Sequence, residues 1–218
     1  MTTHGTGAGI DEGLAVRLRP AVDADATRWL EMLQDPEQRR LGSPAFVPVP
    51  NGVDDLAEAL ERSRSTWAER APGTLVVADV ADRFLGDVSW RWTTGEQLGV
   101  ADLGYVVHPD ARGRGVARSA IVLLTRWLLD EAGRGLARVQ LDHSTENPAS
   151  CRVALAAGFA QEGIRRGFLP LRGDDGVVRR HDVCLHGRVT AAAPRADRTR
   201  PVRGRCLRCG PAGPTLST

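Results

Sequence analysis

The stretch that most constrains this chain covers residues 103–117, Leu-Gly-Tyr-Val-Val-His-Pro-Asp-Ala-Arg-Gly-Arg-Gly-Val-Ala. An apolar run ends at Val107, Pro109 lacks the N–H needed to continue a strand ladder, and Gly113 and Gly115 follow. A long amphipathic helix is predicted next, over residues 116–131, with Ala117, Ala120, Ile121, Leu124 and Leu128 on one face. Gly133 to Gly135 would end it. A strand that turns directly into a helix with one apolar face demands a helix packed on a sheet.

The flanking pattern says which kind. Residues 15–19 alternate as a short strand, and Asp23 or Asp25 can cap a helix through Asp35 carrying Trp29, Leu30 and Leu33. Residues 36–52 hold four prolines and are expected to form a loop able to cover a site. Residues 53–70 read as an amphipathic helix. Three strands are expected over 74–81, 84–93 and 98–107. After the long helix come a strand over 136–142, a short helix over 148–157, and a hairpin of 164–171 with 177–185 around Arg172-Gly-Asp-Asp-Gly176. The pattern is βαα-βββ-αβ-αββ, a mixed α/β single domain with about four helices.

The turn itself has chemistry. Two glycines let backbone approach a ligand, and the helix N-terminus aims its free N–H groups at the same place. Such a loop cradles anions, and Arg112 and Arg114 can add charge-assisted bonds to phosphate oxygens. It suits a pyrophosphate, yet it matches neither G-x-x-x-x-G-K-[ST] nor G-x-G-x-x-G. Taken alone, it could equally be an ordinary strand-to-helix turn with solvated arginines.

A second motif, Asn147-Pro-Ala-Ser-Cys-Arg-Val-Ala-Leu-Ala-Ala-Gly-Phe159, is a short helix with both ends marked: Asn147 as N-cap, Pro148 at the first helical position and Gly158 as the stop. Structural need does not explain Ser150, a weak helix former where Glu would complete a capping box.

Together the two motifs resemble the GNAT N-acetyltransferases, and more narrowly the branch that includes the ribosomal-protein N-terminal acetyltransferases RimJ and RimL. The order of elements matches over residues 16–185. The resemblance implies a mostly antiparallel sheet, splayed where acetyl-CoA inserts, and an R/Q-x-x-G-x-G/A loop on the pyrophosphate, read here as Arg112-x-x-Gly115-x-Ala117. Val107, Arg112, Gly113, Arg114, Gly115, Val116, Ala117 and Asn147 are the implied cofactor contacts. The Val107 N–H would polarise the thioester carbonyl, and an amine would attack directly.

Many relatives protonate the leaving thiolate with a tyrosine after the Asn-containing motif. The single tyrosine here, Tyr105, lies on the strand before the loop instead, so the resemblance points to Ser150 as acid. The alternative for Ser150 is a first-turn serine satisfying a neighbouring N–H. Candidate bases are Asp102, His143 and Glu146; Asp102 ranks first because relatives read acidic-apolar-Gly-Tyr there, while His143 has the pKa best suited to neutral pH. His181-Asp182 is expected to be structural or substrate-facing. Trp90 and Trp92 share one strand face and either line the acceptor cleft or pack in the core.

The resemblance locates the acceptor among the first two helices, the Pro-rich loop and the last hairpin. Acids there (Asp35, Glu37, Asp54, Asp55, Asp174, Asp175) would favour a cationic acceptor. The expected acceptor is a protein N-terminal amine or a small amine; the alternatives are an aminoglycoside-type reaction and a non-catalytic acyl-CoA-binding module.

Charge is unevenly placed. All 29 basic residues are Arg; residues 188–218 hold seven of them against one Asp, leaving 22 against 26 acids before that point. The expected organisation is therefore a flexible segment 1–13, a mildly acidic domain 14–187, and an Arg-rich disordered tail 188–218. Nucleic acid is not an expected partner except through that tail. Cys206 and Cys209 make only half a zinc site, and no metal is expected. With no apolar stretch long enough to span a bilayer and no secretory signal in residues 1–13, a cytoplasmic protein without membrane contact is expected, as monomer or homodimer.

Overall fold

A computed structural model of the protein describes residues 15–131 and 136–190. Seven strands form one sheet in the order β1-β2-β3-β4-β5-β7-β6: β1 Val16–Arg19, β2 Gly73–Asp79, β3 Phe84–Trp92, β4 Val100–Val107, β5 Arg138–Ser144, β6 Ala160–Arg172 and β7 Val178–Val189. The helices are α1 Ala26–Gln34, α2 Pro36–Leu41, α3 Ala57–Glu69, α4 Val116–Arg126 and α5 Pro148–Ala156. This is the mixed α/β domain read from the sequence, with five α-helices among the described residues where about four helices were expected.

Every neighbouring pair in the sheet is antiparallel except β4–β5, which is parallel. That central pairing covers only Val100↔Arg138, Ala101↔Val139 and Asp102↔Gln140. Beyond it, β4 stays on β3 as far as Val107↔Gly86, and β5 stays on β7 as far as Ser144↔Val183. Each strand keeps its outer partner and the two part from one another. The result is a wedge-shaped gap.

The sheet is buried on both faces. Leu75, Val88, Trp90 and Leu103 meet Ile121, Leu124 and Leu128 on one side. Val76, Ala78 and Phe84 meet Trp29, Met32, Leu56 and Leu60 on the other. β2 contributes to both layers, so it reads as a continuous apolar run rather than an alternation. Trp90, 2% exposed, packs edge-on against Trp92 with ring centroids 5.3 Å apart, which settles that pair as core.

Some boundaries differ from the sequence reading for local reasons. Residues 36–52 are not all loop: the Asp35 carboxylate accepts from Gln38 N at 2.9 Å and Pro36 occupies the first helical position, so the proline starts α2 rather than breaking it. Residues 53–56 form a 3₁₀ turn, and the α-helix begins at Ala57. The long helix ends as α at Arg126 and continues as one π-helical turn over Trp127–Glu131; its expected glycine stop lies outside the described residues. β7 runs through Val189, past the tail boundary set at 188, and Thr190 N donates to Ala137 O at 3.0 Å. Cys206 and Cys209 also lie outside the described residues.

Candidate active site

Strand register decides what faces the gap. His108 N donates to Leu85 O and Thr93 N donates to Val100 O. Antiparallel residues alternate between bonded and non-bonded pairs, so the even-numbered residues of β4 turn their polar backbone to β3. Leu103, Tyr105 and Val107 turn theirs the other way, toward the side β5 has left. The N–H of Val107 therefore points into the open end of the wedge, and its carbonyl accepts from Arg112 Nε at 3.3 Å.

Below that end lies the turn into α4. Gly113 (φ 72°) and Gly115 (φ 83°) both occupy the left-handed region that other residues enter at a cost, and a Cβ at either would meet nothing within 4 Å. The backbone is thus exposed and unobstructed above the N-terminus of α4, where Val116 is buried and Ala117 half-buried. Free N–H groups at a helix start with no side chain above them suit an anion.

The two loop arginines differ. Arg114 is exposed. Arg112 is held by Asp35 at 2.5 Å and Glu37 at 2.7 Å, so it clips the loop to the first turn of α2. Burial pushes the Asp35 carboxyl upward, but the bonds from Arg112 and Gln38 N outweigh it and hold the group below its ordinary range.

Ser150 sits at the other lip. Asn147 Oδ1 accepts from Ser150 N at 3.1 Å, the N-cap read from sequence, which leaves the Asn147 amide NH₂ for other partners. Tyr105, reaching across from β4, donates its hydroxyl to Ser150 Oγ at 2.9 Å. Burial pushes the Tyr105 phenol up to about 12, with the Ser150 bond opposing it, so Tyr105 holds its proton at neutral pH. Sequence order had set Tyr105 apart from Ser150; the fold brings them together. The available signal was parity, since Tyr105 and Val107 share a strand face.

Asp102 lies on the opposite face of β4 from Tyr105, at the last β4–β5 pair. It accepts from Gln140 Nε2 at 2.8 Å and Thr93 Oγ1 at 3.1 Å, with Arg91 at 3.4 Å. His143 is buried beneath α5, and desolvation lowers its pKa despite the Ser144 carbonyl. Glu146 is exposed and pairs with His181 at 3.3 Å. Asp182 accepts from Gly167 N at 2.8 Å, bracing the last hairpin. Sequence reasoning passed over Asp87: buried on β3, it accepts from Trp29 Nε1 at 2.8 Å, and desolvation raises its pKa to about 7 despite that bond and one from the Val106 backbone.

On the α2 side, Ala45 N donates to Pro170 O at 2.8 Å, sealing the Pro-rich loop against β6. A cavity of about 310 Å³ lies beside this seam, with Arg39, Arg40 and Arg172 in its wall and Asp174 as its only acid. Four of the six acids expected to attract a cation are engaged elsewhere: Asp35 and Glu37 by Arg112, Asp175 by Arg179, and Asp55 by the turn backbone.

The family model for the acetyltransferase (GNAT) domain matches residues 15–160. The chain belongs to the GNAT acetyltransferases. No curated protein matches it in sequence, but solved structures of low identity share the fold. The ribosomal-protein-S5-alanine acetyltransferase from Vibrio fischeri is 17% identical with a TM-score of 0.69, covering 86% of this chain and 98% of its own. RimJ from Mycobacterium smegmatis, solved with a CoA-disulfide, is 21% identical with a TM-score of 0.69, over 84% of this chain and 86% of its own. Spermidine N-acetyltransferase from Vibrio cholerae, solved with CoA and spermine, is 20% identical with a TM-score of 0.63, over 80% and 95%. Among the described residues, no helix of this GNAT domain is long and apolar enough to cross a membrane.

Proposed function

We propose that this acetyltransferase carries the acetyl group of acetyl-CoA to a primary amine, most aptly the N-terminal amine of a protein or a small amine that also bears an acidic group. The observation that carries the reading is the wedge between β4 and β5, with the Val107 N–H at its open end, the unobstructed Gly113–Gly115 backbone below it and Ser150 on its far lip. Neighbours solved with CoA support the choice of co-substrate.

Gly113, Gly115, Val116 and Ala117 would hold the pyrophosphate through backbone, Arg114 would supply the mobile cation, and Asn147 would reach the pantetheine arm. Bound acetyl-CoA would supply the activated thioester. The chain's own tasks are to polarise that carbonyl from Val107 and to give a proton to the departing sulfur. Ser150 is the proposed donor. Because its Oγ accepts from Tyr105, its own proton is free to point outward, and Tyr105 can replenish it. Asp102 is the proposed base; it lies about 17 Å along β4 from Val107, so it would act through a chain of water molecules. Asp35 and Glu37 share the single cation of Arg112, and the cavity wall itself holds three arginines against one acid, which favours a carboxylate-bearing acceptor over a polyamine.

A CoA-release screen over peptides with acidic second and third residues, their basic counterparts, spermidine and aminoglycosides tests the substrate. Acidic peptides should turn over fastest; faster turnover of spermidine or an aminoglycoside would overturn the acceptor assignment. Ser150→Ala should lower kcat about 10²-fold with little change in acetyl-CoA affinity. Tyr105→Phe should lower it less and add little to Ser150→Ala. Full turnover by Ser150→Ala would remove it as the acid.

A further inference from the structure

Three buried side chains stand outside this machinery. His143 on β5, His186 on β7 and Cys151 on α5 are 6%, 0% and 4% exposed. One donor atom from each lies within 4.8 Å of the other two. A carbonyl oxygen can only accept, so the His143 Nδ1 that lies 2.8 Å from Ser144 O carries the ring proton, and its Nε2 carries a lone pair. That Nε2 faces His186 Nε2 at 3.2 Å, with the rings stacked 26° apart. The 3.2 Å separation lets the two Nε2 atoms share either one proton or one cation. A proton on Nε2 leaves the Nδ1 lone pair without a partner in the core, where Nδ1 meets none. A proton on Nδ1 sets two Nε2 lone pairs against each other.

Zinc–ligand lengths make the comparison quantitative. A tetrahedral ion with Zn–N near 2.0–2.1 Å holds two imidazole nitrogens about 3.3 Å apart, and with Zn–S near 2.3 Å it sets sulfur about 3.6 Å from nitrogen. The two histidines already stand at that spacing, and the cysteine sulfur lies within 4.8 Å of a ring nitrogen of each. The Nδ1–H···O=C bond of His143 is the outer contact that metal-bound imidazoles make. A thiolate with two imidazoles suits zinc and disfavours magnesium or calcium.

We propose that His143 Nε2, His186 Nε2 and the Cys151 thiolate form a buried zinc site, the thiol proton passing to solvent on binding. The site departs from the sequence expectation of no metal. It ties β5, β7 and the first turn of α5 together on the helix side of the wedge, and Cys151 adjoins Ser150, so the ion would hold that turn in place.

The test uses the full-length chain carrying Cys206→Ser and Cys209→Ser, which removes the competing cysteine pair. After equilibration with micromolar zinc and dialysis, elemental analysis should find one zinc per chain. Cys151→Ser and His186→Gln, added singly, should each weaken retention by more than the roughly 10–100-fold typical of losing an outer-shell partner. Zinc near zero in the parent, or undiminished in folded variants, overturns the site. Cobalt substitution of the parent decides the matter even where a variant fails to fold. A thiolate-to-cobalt charge-transfer band displaced by zinc supports the site, and absence of the band overturns it.

Discussion

The sheet has two halves that treat their backbone differently. From β1 to β4 the strands are zipped edge to edge, and β3–β4 alone is in register from Gly86↔Val107 to Trp92↔Ala101. From β4 to β5 the ladder stops after three pairs. Backbone groups that leave a ladder inside a protein need other partners, and the N–H groups of Tyr105 and Val107 face the gap. The zipped half pairs its backbone within the sheet, and the open half is the proposed cofactor site. Substitutions should therefore separate by half.

The largest effect is expected in the open half. Gly115→Glu forces a side chain into a left-handed position that costs a non-glycine residue about 1–2 kcal/mol and sets a carboxylate where an anion should lie. Acetyl-CoA binding, read by calorimetry, should vanish while the circular dichroism of the fold persists. Binding within threefold of the parent would show that the cradle is not the cofactor site.

Next comes Asp87 in the zipped half. Burial raises its pKa from the ordinary 3.8 of an aspartate to about 7 in the fold. The unfolded chain therefore loses this proton first, and stability falls as pH rises from about 4 to about 7. Asp87→Asn keeps an oxygen for Trp29 Nε1 and removes that titration. Urea unfolding at pH 4.5 and 7.5 should show the variant gaining on the parent, by an amount of order 2–4 kcal/mol, with acetyl-CoA affinity unchanged. Parallel pH profiles for the two proteins would refute it.

The smallest effect crosses the boundary. Asn147→Ala removes the cap of α5 and should cost about 1 kcal/mol in stability. Because the same residue positions Ser150, kcat should also fall. A loss of stability with full activity would make the cap purely structural.

What was legible in the sequence follows from range. The α5 cap was readable because Asn147, Pro148 and Ser150 lie within one turn, and the wedge's turn was readable from Pro109 and the two glycines. The Tyr105–Ser150 contact joins residues 45 apart, and the Arg112–Asp35 clip joins residues 77 apart. No local spacing encodes either one. Residues 36–41 form a helix where four nearby prolines suggest a loop, because Pro36 at the first helical position and Asp35 as its cap start a helix rather than break one. Asp87 escaped notice because its significance comes from desolvation, which depends on how α1 covers β3.

The three-pair join between β4 and β5 also has a bearing on the order of folding. β2, β3 and β4 form successive hairpins whose contacts lie close along the chain. The Asp102–Gln140 contact must close a crossover of 38 residues through α4. Local pairings form before distant ones, so the meander should assemble first, and the binding wedge should come into being only with the last strand to dock.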